Sequence, residues 1–242
     1  MSKNLKKDME NLKDPVKSSF LQRYFKTGKG QYGEGDIFLG IKVPEQRKVA
    51  KRYIGLDFKS LESLLYSKIH EYRMVSLMIL VLKYKHASEK DKKYIFDFYL
   101  KNIKQINNWD LVDVTAPYII GNFLSDKDKS VLYKLSRSNN VWERRIAIVS
   151  TYAFIKESLF EHTLRISGLL LKDKHDLIHK ATGWMLREIG KKNQVVLEGF
   201  LRIYHKEMPR TMLRYSIEKL DKKKREFYLK GKYVNATKNP DL

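Results

Sequence analysis

Cysteine is absent from the 242 residues. That excludes a disulfide scaffold, a cysteine-ligated zinc site, an iron–sulfur cluster and a thiol nucleophile. Proline and glycine are scarce, at 5 and 12, so the chain is neither collagen-like nor dominated by linkers. Long apolar runs are missing too. The longest, such as Met78–Leu82, fall far short of a membrane span. The opening MSKNLKKDMENLKDP carries charge every few residues and lacks the apolar core of a signal peptide. These absences predict a soluble, cytoplasmic protein with no membrane partner.

Acid is the scarce charge. Against 49 Lys+Arg stand 28 Asp+Glu, for a net charge of +21. The apolar fraction of 43% is ordinary for a globular domain, so the basic chain folds and is not a disordered tail. So much charge on a folded body costs self-repulsion and calls for an anionic partner. Nucleic acid fits first, through phosphate neutralisation; an anionic membrane surface is second.

Apolar residues recur at helical spacing almost everywhere, as in Leu61, Leu64 and Leu65 or Val75, Met78, Ile79 and Leu82. Asp14-Pro15 supplies a cap and a first-turn proline, Ser88 precedes Asp91 by three, and Pro44 and Pro209 stand where helices should begin. Pro117 falls inside the pattern from Trp109 to Leu124 and should kink that helix. No strand pair is convincing, and the fold class is all-α. Five segments share a register: Arg73-Met-Val-Ser, Asp113-Val-Thr-Ala, Arg145-Ile-Ala-Ile, Lys180-Ala-Thr-Gly and Arg214-Tyr-Ser-Ile, at intervals of 40, 32, 35 and 34 residues. A period of ~34–45 residues in a helical chain means stacked helix pairs of the HEAT, armadillo or TPR kind. One such superhelical domain is expected over residues 1–242, with a terminal helix and tail from about 221. Equivalent slots line one face, and four of the five are basic.

Two motifs carry little. Gly28-Lys-Gly-Gln-Tyr-Gly33 matches GxGxxG, but a dinucleotide fingerprint must follow a strand; here a helix precedes it, so no nucleotide cofactor is expected and the segment reads as a flexible basic loop. His175 and His179 have the i, i+4 spacing of two ligands, yet the HExxH glutamate is missing, so neither a metal nor any other cofactor is expected. The surrounding Lys172–Asp176 reads as a solvated loop. More informative are Asn108-Trp109-Asp110-Leu-Val-Asp113 and Trp142-Glu-Arg-Arg145. Trp109 and Asp113 share one helix face, and Asp113 is the lone acid in a register of bases. It is either a structural ion-pair partner of Arg145 or a functional carboxylate, kept ionised by neighbouring cations beside an indole.

The chain resembles the bacterial alkylpurine DNA glycosylases built from HEAT-like repeats, the AlkD-like DNA alkylation repair enzymes. The matching stretches are Arg23-Tyr-Phe-Lys26, Phe38-Leu-Gly-Ile-Lys-Val-Pro-Glu45 with Arg47, Trp109–Asp113, Trp142–Arg145, and Lys180-Ala-Thr-Gly-Trp184 with Leu186-Arg-Glu188. They run in the family's order from about residue 20 to 220. The resemblance implies that Asp113 is the catalytic carboxylate and Arg145 its companion, that Trp109 and Trp184 flank the lesion deoxyribose, and that Tyr24 approaches the duplex. Trp142 is left to the core. With the register bases Arg73, Lys180 and Arg214 holding phosphates, the implied partner is duplex DNA containing alkylated bases, bound by a monomer associated with the bacterial nucleoid. Two departures stand out: Asp176-Leu177 replaces an aromatic pair, and the Gly28–Gly35 loop is long.

The implied reaction is hydrolysis of the N-glycosidic bond of N3- or N7-alkylated purines, without lyase chemistry and, in this family, without flipping the base into a pocket. The ring charge already weakens the bond, so one carboxylate suffices where ordinary glycosidases need two. The alternative is a non-catalytic paralogue that recognises distorted or branched DNA; a scaffold for an acidic protein is a third possibility.

Overall fold

The computed structural model describes residues 2–230. Among the described residues the regular structure is helical, and the one strand-like pairing is an isolated parallel bridge between Ile37 and Ile69. The all-α expectation is met. The last described helix spans residues 222–230; the tail expected after it lies outside the described residues. No described helix is long and apolar enough to cross a membrane. The backbone divides into two compact units, Met1–Lys127 and Asp128–Leu242.

The first unit contains α1 (Ser2–Glu10), α2 (Pro15–Tyr24), α3 (Val43–Arg52), α4 (Phe58–Leu65), α5 (His70–Lys85), α6 (Glu89–Lys101), the short α7 (Trp109–Asp113) and the one-turn α8 (Asn122–Leu124). Local chemistry starts them as the sequence predicts. The Asp14 carboxylate accepts the Lys17 amide with Pro15 in the first turn, Ser88 accepts the Asp91 amide, and Pro44 opens α3. Pro117 interrupts the helical pattern as expected: α7 stops at Asp113, and a π turn over Pro117–Gly121, in which the Gly121 amide donates to Ala116, leads into α8. Helix α5 forms the core. Every residue from His70 to Leu80 is buried, with α3, α4 and α7 packed against it.

The connection between α2 and α3 is fastened to the start of α5. The His70 amide donates to Ile37 and the Ile37 amide to Lys68. The buried Glu71 carboxylate accepts the amides of Leu39, Gly40 and Ile41 at 2.8–3.3 Å. Gly40 has φ +86°, and a β-carbon there would collide with the Asp14 carbonyl. Gly40→Ala should therefore destabilise the chain by more than ~1 kcal/mol, read as a lowered urea midpoint. An unchanged midpoint would mean that the loop relaxes both its positive φ and its close approach to Asp14 without cost.

The second unit holds α9 (Ser130–Ser136), α10 (Val141–Ser150), α11 (Tyr152–Lys156), α12 (Glu161–Leu169), α13 (Asp176–Lys192), α14 (Gln194–Tyr204), α15 (Arg210–Ser216) and α16 (Lys222–Lys230). Pro209 immediately precedes α15, as predicted. Helix α13 is central, packed by α10, α11, α12, α14 and α15. Gly183 brings α13 close to α15, since a β-carbon there would strike the Met212 carbonyl and Tyr215.

The five register slots fall on α5, α7, α10, α13 and α15. In the first unit α5 packs on α7; in the second α10 packs on α13, and α13 on α15. Within each unit, successive slots therefore occupy neighbouring helices, as stacked helix pairs require.

Candidate active site

Asn108 caps α7, its side-chain oxygen accepting the Trp109 amide at 2.8 Å. Four residues on, one helical turn away, stands Asp113. The first unit brings Tyr24 to this helix as well. The Trp109 ring lies parallel to Phe25 at 5.1 Å between centroids, and Tyr24 meets Trp109 edge-on at 6.1 Å. Tyr24 is 55% exposed, so it lies open beside the half-buried indole. Asp113 lines a cavity of about 360 Å³ whose rim also carries Arg47, Lys51 and Tyr118.

Beneath Trp109 lies a buried charge cluster. His70, 2% exposed, sets Nε2 2.8 Å from Asp110 Oδ2 and Nδ1 3.3 Å from Asp36 Oδ2. Arg73 Nη2 also lies 3.4 Å from Nδ1, while both ring nitrogens face carboxylate oxygens, an arrangement that favours the imidazolium with two donors. Burial pushes its pKa down, but the Asp110 charge and the hydrogen bonds to Asp110 and Asp36 outweigh that and raise it to about 9, against the nearby Arg73. Burial likewise raises Asp36, yet hydrogen bonds from His70 and Arg73 hold it below the ordinary carboxylate range. The imidazolium stacks on Phe38 at 4.5 Å, Phe38 on Phe25 at 4.8 Å, and Phe25 on Trp109. A column of rings thus links the cluster to the indole, while Asp110 ties the same helix to α5.

This geometry corrects one predicted site residue. Arg73, expected to hold a phosphate, is 4% exposed and pairs with Asp36 at 2.5 Å, donating also to the Ser67 carbonyl. It faces inward and supports the cluster. Nor is the Gly28–Gly33 segment merely flexible: turns closed by Gln31 on Gly28 and Gly33 on Lys26 organise it, and it follows α2. Sequence reasoning missed the roles of His70 and Asp36. The histidine was one of several scattered singly, and the acid was the polar end of a glycine-rich loop.

In the second unit Arg145 is buried on α10, its Nη1 donating to the Leu177 carbonyl at 2.6 Å. The backbone of the departing Asp176-Leu177 pair thereby anchors a predicted functional residue. Trp184, on α13, is half-buried; its Nε1 donates to Glu188 at 3.1 Å and its ring lies 6.1 Å from that of Tyr152. Lys180 pairs with Asp176 at 2.7 Å across one turn. Arg214 is exposed and borders a second cavity with Lys222 and Arg225. Trp142 is buried, as expected of a core residue.

The two histidines considered as ligands have structural partners: His175 Nδ1 accepts the Leu177 amide, and His179 Nε2 lies 2.5 Å from the Asp173 carbonyl. The Lys172–Asp176 loop is less solvated than expected, because Asp173 is buried against Arg144 at 2.6 Å.

Residues 5–220 match the model of a family described as DNA alkylation repair enzyme. Two solved structures share the fold. One is a "predicted DNA alkylation repair enzyme" from Enterococcus faecalis, 18% identical, covering 87% of this chain and 97% of its own, with a TM-score of 0.67. The other is AlkD2 from Streptococcus mutans, also 18% identical, covering 84% of this chain and 97% of its own, with a TM-score of 0.55. No curated protein matches the chain.

Proposed function

Because the chain belongs to the DNA alkylation repair enzyme family, we propose that it hydrolyses the N-glycosidic bond of cationic N3- and N7-alkylated purines in duplex DNA. The observation that carries this is the placement of Asp113 one helical turn from Trp109, at the edge of a cavity rimmed by cations. Alkylation gives the purine a positive charge, so it departs without protonation, and the sugar becomes oxocarbenium-like as the bond lengthens. Asp113 stabilises that charge and directs a water to the anomeric carbon. Trp109 offers its π face to the same cation. In the second unit, Trp184 supplies a second indole, Arg145 is the companion arginine, and Lys180 and Arg214 hold phosphates.

Neutral lesions such as uracil should be left alone. Their release needs a general acid or close contacts to the base, and guanidinium is a feeble donor at neutral pH. Mass spectrometry of bases freed from methylated and from uracil-containing duplexes tests this. Free 3-methyladenine and 7-methylguanine with intact abasic sites are expected. Efficient uracil release would overturn the single-carboxylate mechanism, and release of nothing from either duplex would favour a protein that only binds distorted DNA.

A further inference from the structure

Helix α7 has only five residues, and a helix of little more than one turn keeps its shape only through what packs on it. It gains no support from the chain that follows, because the π turn at Pro117 interrupts the pattern. Yet Trp109 and Asp113 both stand on it. Leu111 and Val112 are buried and hold its inner side. With about 100° between successive residues, Asp113 lies between Trp109 and Asp110 around the helix. A tether at Asp110 therefore acts next to the face that carries the carboxylate and the indole.

His70 supplies that tether and reaches the indole by a second route. Its Nε2 donates to Asp110 Oδ2 at 2.8 Å, while Asp110 Oδ1 accepts the Leu111 amide. Its ring packs on Phe38 at 4.5 Å and on Phe25 at 5.3 Å, and Phe25 lies parallel to Trp109 with 11° between the planes. The circuit closes through the peptide bond between Trp109 and Asp110. One arm sets the helix, the other sets the plane of the indole, and His70 belongs to both. We propose that His70 is a positioning residue of the repair reaction, fixing the Trp109 indole and the Asp113 carboxylate for base release through Asp110 and the Phe38–Phe25 column. The proposal rests on the glycosylase reading, and it makes release depend on a residue too deeply buried to touch DNA.

The charged groups facing the ring are Asp110 of α7, Asp36 of the connection before α3, and Arg73 of α5 itself. The other helices packed on α5 give it no hydrogen bond or ion pair among the described residues. Loss of its proton, at a pH of about 9, removes one donor from a ring that serves two carboxylates. The circuit should then loosen.

The test uses the whole chain with Asp110→Asn and His70→Gln. Asparagine keeps the size of a half-buried side chain; glutamine keeps a donor near the place of Nε2 without the ring or the charge. Single-turnover release of 7-methylguanine, corrected for spontaneous loss, should fall about tenfold or more in both, because small misplacements of reacting groups are costly. Duplex affinity by anisotropy should stay within about twofold, since it comes from phosphate contacts that neither change touches. The wild-type rate should decline as pH rises through about 9, and His70→Gln should lack that decline. Fluorine NMR of the fluorotryptophan-labelled chain needs no base release. The Trp109 resonance, identified by its loss in Trp109→Phe, should move over the same pH range in the wild type and stay fixed in His70→Gln. If glutamine unfolds the chain, Asp110→Asn should bring both midpoints to lower pH, because it removes an anion that holds the proton on His70. Unchanged release in the variants, or a wild-type Trp109 resonance indifferent to pH, would overturn the proposal. A resonance that titrates with His70 while no methylated base is freed would instead leave the positioning of Trp109 standing and remove the glycosylase.

Discussion

Asp113→Asn should release methylated purines at least ~10²-fold more slowly than the wild-type chain, the usual loss when a charge aimed at the transition state is removed. Asparagine keeps the size and a carbonyl acceptor, so α7, its Asn108 cap and the Trp109 stack should survive. Duplex affinity should hold or rise, because an anion leaves a surface that meets phosphates. Single-turnover release with excess protein, set beside anisotropy binding curves, separates the two effects. An asparagine variant as fast as the wild type would return Asp113 to the role of a structural ion-pair partner.

The second large effect concerns stability and falls on His70 of α5, the partner of Asp110 on the same helix as Asp113. His70→Ala should lower the unfolding free energy by about 3–5 kcal/mol, since removing one member of a buried ion pair strands the other. Asp110 would lose its 2.8 Å partner, while Asp36 would keep Arg73. The wild-type chain should also show a distinctive pH profile. The His70 pKa is raised by folding, from 6.5 to about 9, so the charged ring stabilises the fold fully below ~6.5. That contribution declines as pH climbs from 6.5 towards 9 and is gone above it, a loss on the order of 3 kcal/mol. Urea melts across this window should show the decline in the wild type and a nearly flat profile in His70→Ala. A wild-type profile equally flat would mean that the ring is neutral between its two carboxylates.

What could be read in advance was local chemistry. Asp14-Pro15, Ser88, Pro44 and Pro209 act within a turn of themselves, and the missing amide of Pro117 breaks its own helix whatever surrounds it. The Trp109–Asp113 spacing likewise has one meaning on a helix. The register found helices that are neighbours, but it could not report depth. Arg73 occupies its slot faithfully and still points inward, because an acid 37 positions earlier meets it there. His70 was invisible for the same reason: its carboxylates lie 34 and 40 residues away in sequence, and only the fold brings them together.

Glu71 sets an order of assembly. The three amides it gathers lie 30–32 residues earlier in the chain, so closing that loop costs entropy that nothing local returns. During synthesis the stretch from Leu39 to Ile41 must wait until α5 has emerged and coiled, because until then its amides have only water to bind. The Leu39–Ile41 segment that leads to α3 is therefore templated by a helix made after it.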